Sequence, residues 1–165
     1  MIRYYLAMDT SLTKSGWAVL SVTQGVATVE DYGLIKSDAK LTDGERLRQI
    51  HAGITEVIES HPNIERVIPR EAGIVRFNLP TKQIFKAHGV TEFALADFEI
   101  VDVNIATVKA WARRMTGSPG KRNDKAMIAE AVTAVYGEGI KFNKGGDIAD
   151  AIAVATVYLS KEGVI

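Results

Sequence analysis

The segment GGDIADAIAVA, residues 145–155, constrains the fold more than any other part of the sequence. It predicts a helix from Asp147 to about Lys161, whose first turns carry mostly alanine and isoleucine and can lie close against a sheet. Asp147 and Asp150 are three residues apart and therefore share one helical face. Because an unpaired buried carboxylate is costly, Asp150 in this apolar run needs a metal ion or a cationic partner.

The remaining sequence predicts the sheet and the other helices. Three β-prone stretches open the chain, at residues 2–9, 16–22 and 26–35, and the short polar turns between them favour antiparallel hairpins. A short apolar stretch at 64–71 predicts a fourth strand, in which Pro69 should cause fraying or a bulge. A fifth strand is expected at 98–103. The helices are expected from Asp43, as N-cap, to Ser60, over 80–95, from the Asn104 cap to Arg114, and over 124–136.

This order of elements predicts an α/β fold with a five-stranded mixed sheet, three strands antiparallel and two parallel, and helices on both faces. The length of 165 residues favours one domain over residues 1–165. No stretch of about 18 apolar residues is present, and neither is a secretory signal, so we expect no membrane span. The absence of cysteine excludes thiolate metal sites and fits a reducing interior, so we expect a cytoplasmic protein.

Two further carboxylates follow predicted strands. Asp9 ends the first strand and Glu71 ends the fourth, so neighbouring strands would bring both acids to one edge of the sheet. Together with Asp147 and Asp150 they would form an oxygen-rich site suited to Mg²⁺, for which Mn²⁺ could substitute. Such sites commonly hold two ions about 3.5–4 Å apart, one activating water and one stabilising the leaving 3′-oxygen. Asp9 is then the expected bridging ligand.

Three of the four acids also have a structural interpretation. Asp9 could bond the backbone of a turn, Glu71 could form a solvated pair with Arg70, and Asp147 could be an N-cap or first-turn residue. The metal hypothesis depends on all four acids coming together.

The formal net charge is zero, but basic residues are concentrated between Lys109 and Lys125. Asp124 is the only acid in that segment, which contains Lys109, Arg113, Arg114, Lys121, Arg122 and Lys125. The segment could bind phosphates, although a solvated helix–loop–helix surface is the alternative.

Three stretches of this sequence resemble the RuvC-type Holliday-junction resolvases of the RNase H-like superfamily. They are LAMDTSLTKSGWAVL, VKAWARRMTGSPGKRNDKAMI and GGDIADAIAVA. The resemblance implies that Asp9, Glu71, Asp147 and Asp150 are metal ligands, and that Lys109 and Lys125 contact DNA. It also implies a homodimer that nicks four-way junctions symmetrically, leaving 5′-phosphate and 3′-hydroxyl ends. Thr10 and Ser11 replace the Pro-Gly usual in bacterial members, and the stretch AGIVRFNLPTKQ after Glu71 also differs from the bacterial pattern. Such divergence suits a phage version acting on several branched DNAs, in a bacterial cell or a phage-infected host.

Several other residues are candidates for DNA contact. Lys121 and Arg122, in a Gly-flanked loop, should meet phosphate, as should Arg113. Arg76 and Phe77 could enter the junction, with core or dimer packing the alternative for Phe77. Ile84, Phe85 and Val90 could form a dimer face or could face the sheet, and Trp111 is expected in the core.

Three other functions compete with junction cleavage. DTSLTKSGWAVL could pass for the first phosphate loop of actin-like and sugar-kinase ATPases, but those enzymes enclose ATP between two domains and do not require Asp147 and Asp150. A junction-binding homologue without catalysis is the second alternative, and the four intact acids argue against it. A nuclease acting on RNA–DNA hybrids or flaps is the third.

Overall fold

The computed structural model describes residues 1–73, 79–117 and 124–165, with the backbone alone at 79 and 80. The strands are β1 (Arg3–Asp9), β2 (Lys14–Thr23), β3 (Val26–Lys36), β4 (Val67–Glu71) and β5 (Glu99–Val103). The helices are α1 (Asp43–Ser60), α2 (Leu79–Ala94), α3 (Ile105–Thr116), α4 (Asp124–Tyr136) and α5 (Asp147–Lys161). Of the helices in these ranges, none is long and apolar enough to cross a membrane.

The five strands form one sheet in the order β3-β2-β1-β4-β5. β1, β2 and β3 pair antiparallel, whereas β4 runs parallel to both β1 and β5. The predicted mixed sheet is therefore confirmed. Because β1 and β4 are parallel neighbours, their carboxyl ends reach the same edge, and this brings Asp9 and Glu71 together there.

Pro69 lies inside β4 without the expected bulge, since β4 and β5 pair in unbroken register from Val67↔Glu99 to Glu71↔Val103. Pairing is lost instead on the side of β4 that faces β1. The structure describes both strands in full, and Met8↔Arg70 is the one residue pair between them. The Glu65 amide donates a hydrogen bond to the Tyr4 carbonyl at 2.7 Å, so the backbone of Glu65 faces β1. Pro69 lies an even number of residues further along the chain and faces the same way. By strand alternation, the missing Pro69 amide faces β1.

Alternation along the strands separates two hydrophobic cores. Tyr5 and Ala7 of β1 face a core shared with α3, α4 and α5, whereas Leu6 and Met8 face a core shared with α1 and α2. Helices thus cover both faces, as predicted, and Trp111 is buried in the first core. α5 is the central helix of that core, with eleven of its residues buried.

Gly16 of β2 allows the start of α5 to approach the sheet. A Cβ atom at Gly16 would lie 2.0 Å from the carbonyl oxygen of Asp147, a separation that no side chain could tolerate. Gly16 is also the register partner of Asp9. The absent side chain therefore brings the first turn of α5 next to the carboxylate that ends β1.

The helix caps agree only in part with expectation. Asn104 caps α3 by accepting the Ala106 amide at 2.8 Å, as predicted. The N-cap of α1 is Thr42 rather than Asp43, because Thr42 and Glu45 form a reciprocal capping box that leaves Asp43 in the first turn. Asp147 is the first residue of α5, which agrees with its predicted place at the N-cap or in the first turn.

Candidate metal centre

Three carboxylates from three separate elements converge at the edge where β1 and β4 end. Asp9 of β1, Glu71 of β4 and Asp150 of α5 each offer an oxygen atom, and these oxygens lie within 4.8 Å of one another. Asp9 shares the strand face of Tyr5 and Ala7, which is the face covered by α5. The expected convergence of these three acids is therefore present in the structure.

Asp147 lies beside this three-carboxylate group but is not part of it. Its Oδ2 atom accepts a hydrogen bond of 2.6 Å from Nδ2 of Asn143. Its negative charge nevertheless helps to raise the pKa values of Asp9, Glu71 and Asp150, so it is electrostatically close to all three. Sequence reasoning placed Asp147 correctly in the first turn of α5 but did not identify its partner Asn143.

The group is strained electrostatically. Burial raises the pKa of Asp9 well above its usual range, and the charges of Glu71 and Asp150 add to the effect. Burial likewise raises the pKa of Glu71 to about 7, with Asp150 the next contributor. For Asp150, burial raises the pKa to about 6 against the opposing charge of Lys125. Like charges held together away from water explain all three shifts.

One oxygen of this group lacks a hydrogen-bond donor among the residues that the structure describes. Oδ1 of Asp150 is buried and has no partner in the described part of the chain, and Asp150 itself is 7% exposed. The hydroxyl of Thr10, next to Asp9, is also buried and also has no hydrogen-bond partner among the described residues. Unpaired buried oxygens and mutual repulsion are what a divalent cation would relieve, and carboxylate donors without sulfur suit Mg²⁺ or Mn²⁺. The residues present therefore fit a hard metal ion.

Arg70 does not provide the solvated partner considered for Glu71. It is 4% exposed and pairs with Asp102 at 2.8 Å and with Glu92 at 3.1 Å, on the α2 side of the sheet. Adjacent residues of a strand face opposite sides, so Glu71 points instead toward α5. The strand geometry thus separates a structural ion-pair network from the acidic group.

A small cleft of about 160 Å³ lies at the acidic group, between the end of β1 and helix α2. Asp9, Thr10 and Glu71 line it together with His88, which the sequence gave no reason to select. Burial and the charge of Arg70 lower the pKa of His88. The three histidines of the sequence are not spaced as paired metal ligands would be, so they indicated no metal site. Only the packing of α2 brings His88 to this cleft.

Two of the predicted DNA-contacting lysines lie near the acidic group. Lys109 of α3 pairs with Asp124 of α4 at 2.9 Å, and Lys125 donates to the carbonyl of Gly145. Both lysines lower the pKa values of Glu71 and Asp150, so both are close enough to act on the group. Arg113 is exposed on α3. The remaining candidates, Arg76, Phe77, Lys121 and Arg122, lie outside the described residues.

The three candidates for a dimer face differ in their surroundings. Val90 packs against the core shared with α1 and α2, and Ile84 lines the cleft at the acidic group. Phe85 is 45% exposed, and Phe93 on the same helix is 73% exposed. The exposed aromatic surface of α2 therefore includes one residue that the sequence had suggested and one that it had not.

A five-stranded mixed sheet with acids gathered where β1, β4 and the last helix meet defines an RNase H-like nuclease fold. The family model described as crossover junction endodeoxyribonuclease RuvC matches residues 5–158, and the chain belongs to this family. This membership decides against the actin-like ATPase alternative.

Individual relatives agree with the family assignment. The crossover junction endodeoxyribonuclease RuvC of Erythrobacter litoralis is 31% identical over 150 residues, covering 91% of this chain and 88% of the relative. The fold resembles that of Thermus thermophilus RuvC in complex with a Holliday junction substrate, with a TM-score of 0.77, 20% identity and coverage of 98% and 96% of the two chains. The fowlpox virus resolvase, solved with Holliday junction DNA, matches with a TM-score of 0.59, 14% identity and coverage of 98% and 99%.

Proposed function

We propose that this chain is a metal-dependent endonuclease that nicks branched DNA, chiefly four-way junctions, by hydrolysis of a phosphodiester bond. The observation that carries the proposal is the convergence of Asp9, Glu71 and Asp150, with one buried Asp150 oxygen lacking a partner among the described residues. Family membership supports it, as do the two structural relatives that were solved with Holliday junction DNA.

Asp9, Glu71 and Asp150 are the proposed inner ligands, and Asp147 completes the site from beside them. We propose two Mg²⁺ ions per site, for which Mn²⁺ can substitute, and Asp9 as the bridging ligand because it lies on the central strand. When bound, such ions supply an activated water and stabilisation of the leaving 3′-oxygen.

The chain's own residues prepare this chemistry. The sheet and α5 hold the carboxylates in place before any ion arrives, so little reorganisation is needed on binding. Their raised pKa values mean that the group is partly protonated near neutral pH, and cation binding must release those protons. Ion binding should therefore strengthen as pH rises.

Basic residues are proposed to hold the DNA backbone. Lys109, Arg113 and Lys125 lie on α3 and α4, and Lys109 and Lys125 act electrostatically on the acidic group. Contacts of this kind position the duplex without reading its sequence. The same role is proposed for Lys121, Arg122 and Arg76, and insertion into the junction for Phe77.

A homodimer is proposed as the working form, because two symmetric nicks in a four-way junction need two sites. The exposed Phe85 and Phe93 on α2 support this surface as the contact between subunits. The protein is proposed to act in the cytoplasm of a bacterial cell or a phage-infected host, as one nuclease domain spanning residues 1–165.

The test of this function is cleavage of a labelled, immobile four-way junction, compared with a matched linear duplex, in Mg²⁺ or in EDTA. Wild-type protein should nick the junction in symmetric pairs and leave the duplex intact, and EDTA should abolish the cuts. Glu71→Gln should bind the junction and not cut it. The matched control is Asp97→Asn, an exposed acid that precedes β5 at the opposite edge of the sheet, and it should cut normally.

Other results would change the proposal. Cuts in forks and flaps as well would broaden the substrate to branched DNA in general. Tight junction binding without cleavage in any divalent metal would identify a non-catalytic homologue. Cleavage that survives both EDTA and Glu71→Gln would overturn the metal site itself.

A further inference from the structure

The loop that leads into α5 contains a side chain that contacts both the helix and an acid of the site. Asn143 donates from Nδ2 to Oδ2 of Asp147 at 2.6 Å and accepts from the Ile148 amide at its own Oδ1, at 3.1 Å. Its backbone carbonyl also accepts from the Gly146 amide at 3.0 Å. Asn143 therefore ties together the loop, the first turn of α5 and one carboxylate.

Asn143 takes the role that the N-cap residue leaves open. The N-cap of α5 is Gly146, which has φ 83° and no side chain to accept an amide. Orphan amides at a helix start need such an acceptor, and Oδ1 of Asn143 supplies one for Ile148. With its oxygen committed to the helix, the amide of Asn143 is directed by its planar geometry toward Asp147.

Close packing restricts Asp147 as well. A Cβ atom at Gly145 would lie 2.5 Å from Oδ2 of Asp147, so the carboxylate rests against the backbone of this loop. The three inner acids meet within 4.8 Å without Asp147, yet its charge raises the pKa of each. Asp147 is thus held next to the group in a fixed position, by a donor that does not neutralise its charge.

We propose that Asn143 is a positioning residue for the metal centre, which fixes the Asp147 carboxylate beside the Asp9, Glu71 and Asp150 group. The inference rests on the proposed function, because it assumes that this group binds divalent ions. Asn143 acts through Asp147, to which it donates a hydrogen bond. Partners that orient the ligands of a metal typically contribute a factor of about 10–100 in metal affinity.

The experiment is a calorimetric titration of the metal-free protein with Mn²⁺. It compares wild type, Asn143→Ala, Asp147→Asn and the double variant. Asn143→Ala and Asp147→Asn should each weaken Mn²⁺ binding about tenfold. The double variant should bind no more weakly than Asp147→Asn alone, since Asn143 has nothing to position once the carboxylate is gone. Thermal unfolding of each variant measures the separate loss of the helix cap.

Asn143→Asp distinguishes positioning from capping even if Asn143→Ala is poorly folded. It keeps an acceptor for the Ile148 amide, but it cannot donate to Asp147 and repels it. Added negative charge alone would tighten Mn²⁺ binding, whereas loss of positioning should weaken it. The inference would be overturned if Asn143→Asp bound Mn²⁺ as tightly as wild type or more tightly. It would also be overturned if Asn143→Ala weakened Mn²⁺ binding by the same factor in the wild-type and Asp147→Asn backgrounds.

The measurements distinguish failure of the proposed metal site from failure of the proposed role of Asn143. If wild type binds no Mn²⁺, the proposed metal site is wrong and the inference is overturned with it. If wild type binds Mn²⁺ but Asp147→Asn changes nothing, the three-acid site stands without Asp147 and the inference alone is overturned. If Asp147→Asn weakens binding but Asn143→Ala does not, the site stands and the role of Asn143 alone is wrong.

Discussion

Asp150 has the lowest solvent exposure of the acids among the described residues. It is 7% exposed, lies among alanine, isoleucine and valine side chains of α5, and has one oxygen without a donor in the described residues. A buried acid of this kind destabilises the folded state, and residues that do so are typical of functional sites.

Replacement of Asp150 by asparagine should therefore separate function from stability. Asp150→Asn should abolish junction cleavage while the metal-free protein unfolds at a higher temperature, because a buried charge and its repulsion with Glu71 and Asp9 are removed. Differential scanning calorimetry in EDTA measures the stability. Asp97→Asn is the control and should change neither property. A lower unfolding temperature, or normal cleavage, would contradict this role of Asp150.

The raised pKa values also predict how pH acts on the metal-free protein. Glu71 has a pKa of about 7 when folded and an ordinary value near 4.5 when unfolded, so the folded state binds more protons between these values. The free energy of unfolding should consequently fall as pH rises from about 5 to about 7.5, by up to roughly 1.4 kcal/mol per pH unit for each such group.

Urea unfolding in EDTA at several pH values measures this slope, and excess Mg²⁺ should reverse it by binding the deprotonated group. Glu71→Gln should flatten the dependence. A metal-free protein that gained stability over the same pH interval would show that the acids are not held together as described.

The sequence located the acids but not all of their hydrogen-bond partners. Asp9 and Glu71 were predicted to meet if their strands were neighbours, and β1 and β4 are parallel neighbours. The apolar run around Asp150 predicted that this helix lies against the sheet, which brings Asp150 to the same edge. The bond from Asn143 to Asp147 was missed, since it depends on the left-handed turn at Gly146 and on the path of the loop. His88 was missed because the tilt of α2 decides which of its residues reach the cleft.

At the scale of elements, the approach of α5 to β2 holds the site together. Gly16→Ala should destabilise the protein by about 1–3 kcal/mol or more, because its Cβ would overlap backbone atoms of Asp147 that cannot move aside. It should also weaken Mn²⁺ binding, since α5 carries Asp147 and Asp150.

Gly44→Ala is the matched control for this change. Gly44 lies in the first turn of α1 with open space around it, so alanine there should be neutral or stabilising by up to about 1 kcal/mol. Chemical unfolding of both variants makes the comparison. Equal stability of Gly16→Ala and wild type would contradict the close packing of α5 on the sheet.

The predicted bounds of α1, α4 and α5 agree with the structure, whereas two local details of elements do not. Pro69 was expected to disturb β4, but its missing amide faces β1, where the ladder is sparse, and pairing with β5 is unaffected. Asp43 was expected to cap α1, but Thr42 can bond reciprocally with Glu45, and that pair decides where the helix starts. Both outcomes depend on which neighbour a backbone group faces, and propensity does not encode this.

Across the whole molecule, acidic and basic regions lie against each other around the site. Asp124 pairs with Lys109, so part of the positive surface is neutralised within the protein. Asp124→Asn should release Lys109 and tighten junction binding in a metal-free buffer that contains EDTA, with a steeper dependence on salt. Lys109→Ala should weaken binding and reduce the salt slope by about one for each phosphate that it no longer neutralises.

Electrophoretic mobility shifts at several salt concentrations measure both changes, and Lys161→Ala, at the far end of α5, is the matched control. If Asp124→Asn left affinity unchanged at every salt concentration, Lys109 would not lie in the path of the DNA.

The wide spacing of the three acids along the chain has a consequence for its synthesis. Asp9 and Glu71 leave the ribosome early, whereas Asp150 arrives with α5, the last helix described. At typical elongation rates, roughly 4–16 seconds separate Glu71 from Asp150. Toward the end of that interval the nascent chain carries α3 and α4 but has only part of the acidic group. On the proposed function, no copy of the chain can cut nucleic acid until translation has passed α5.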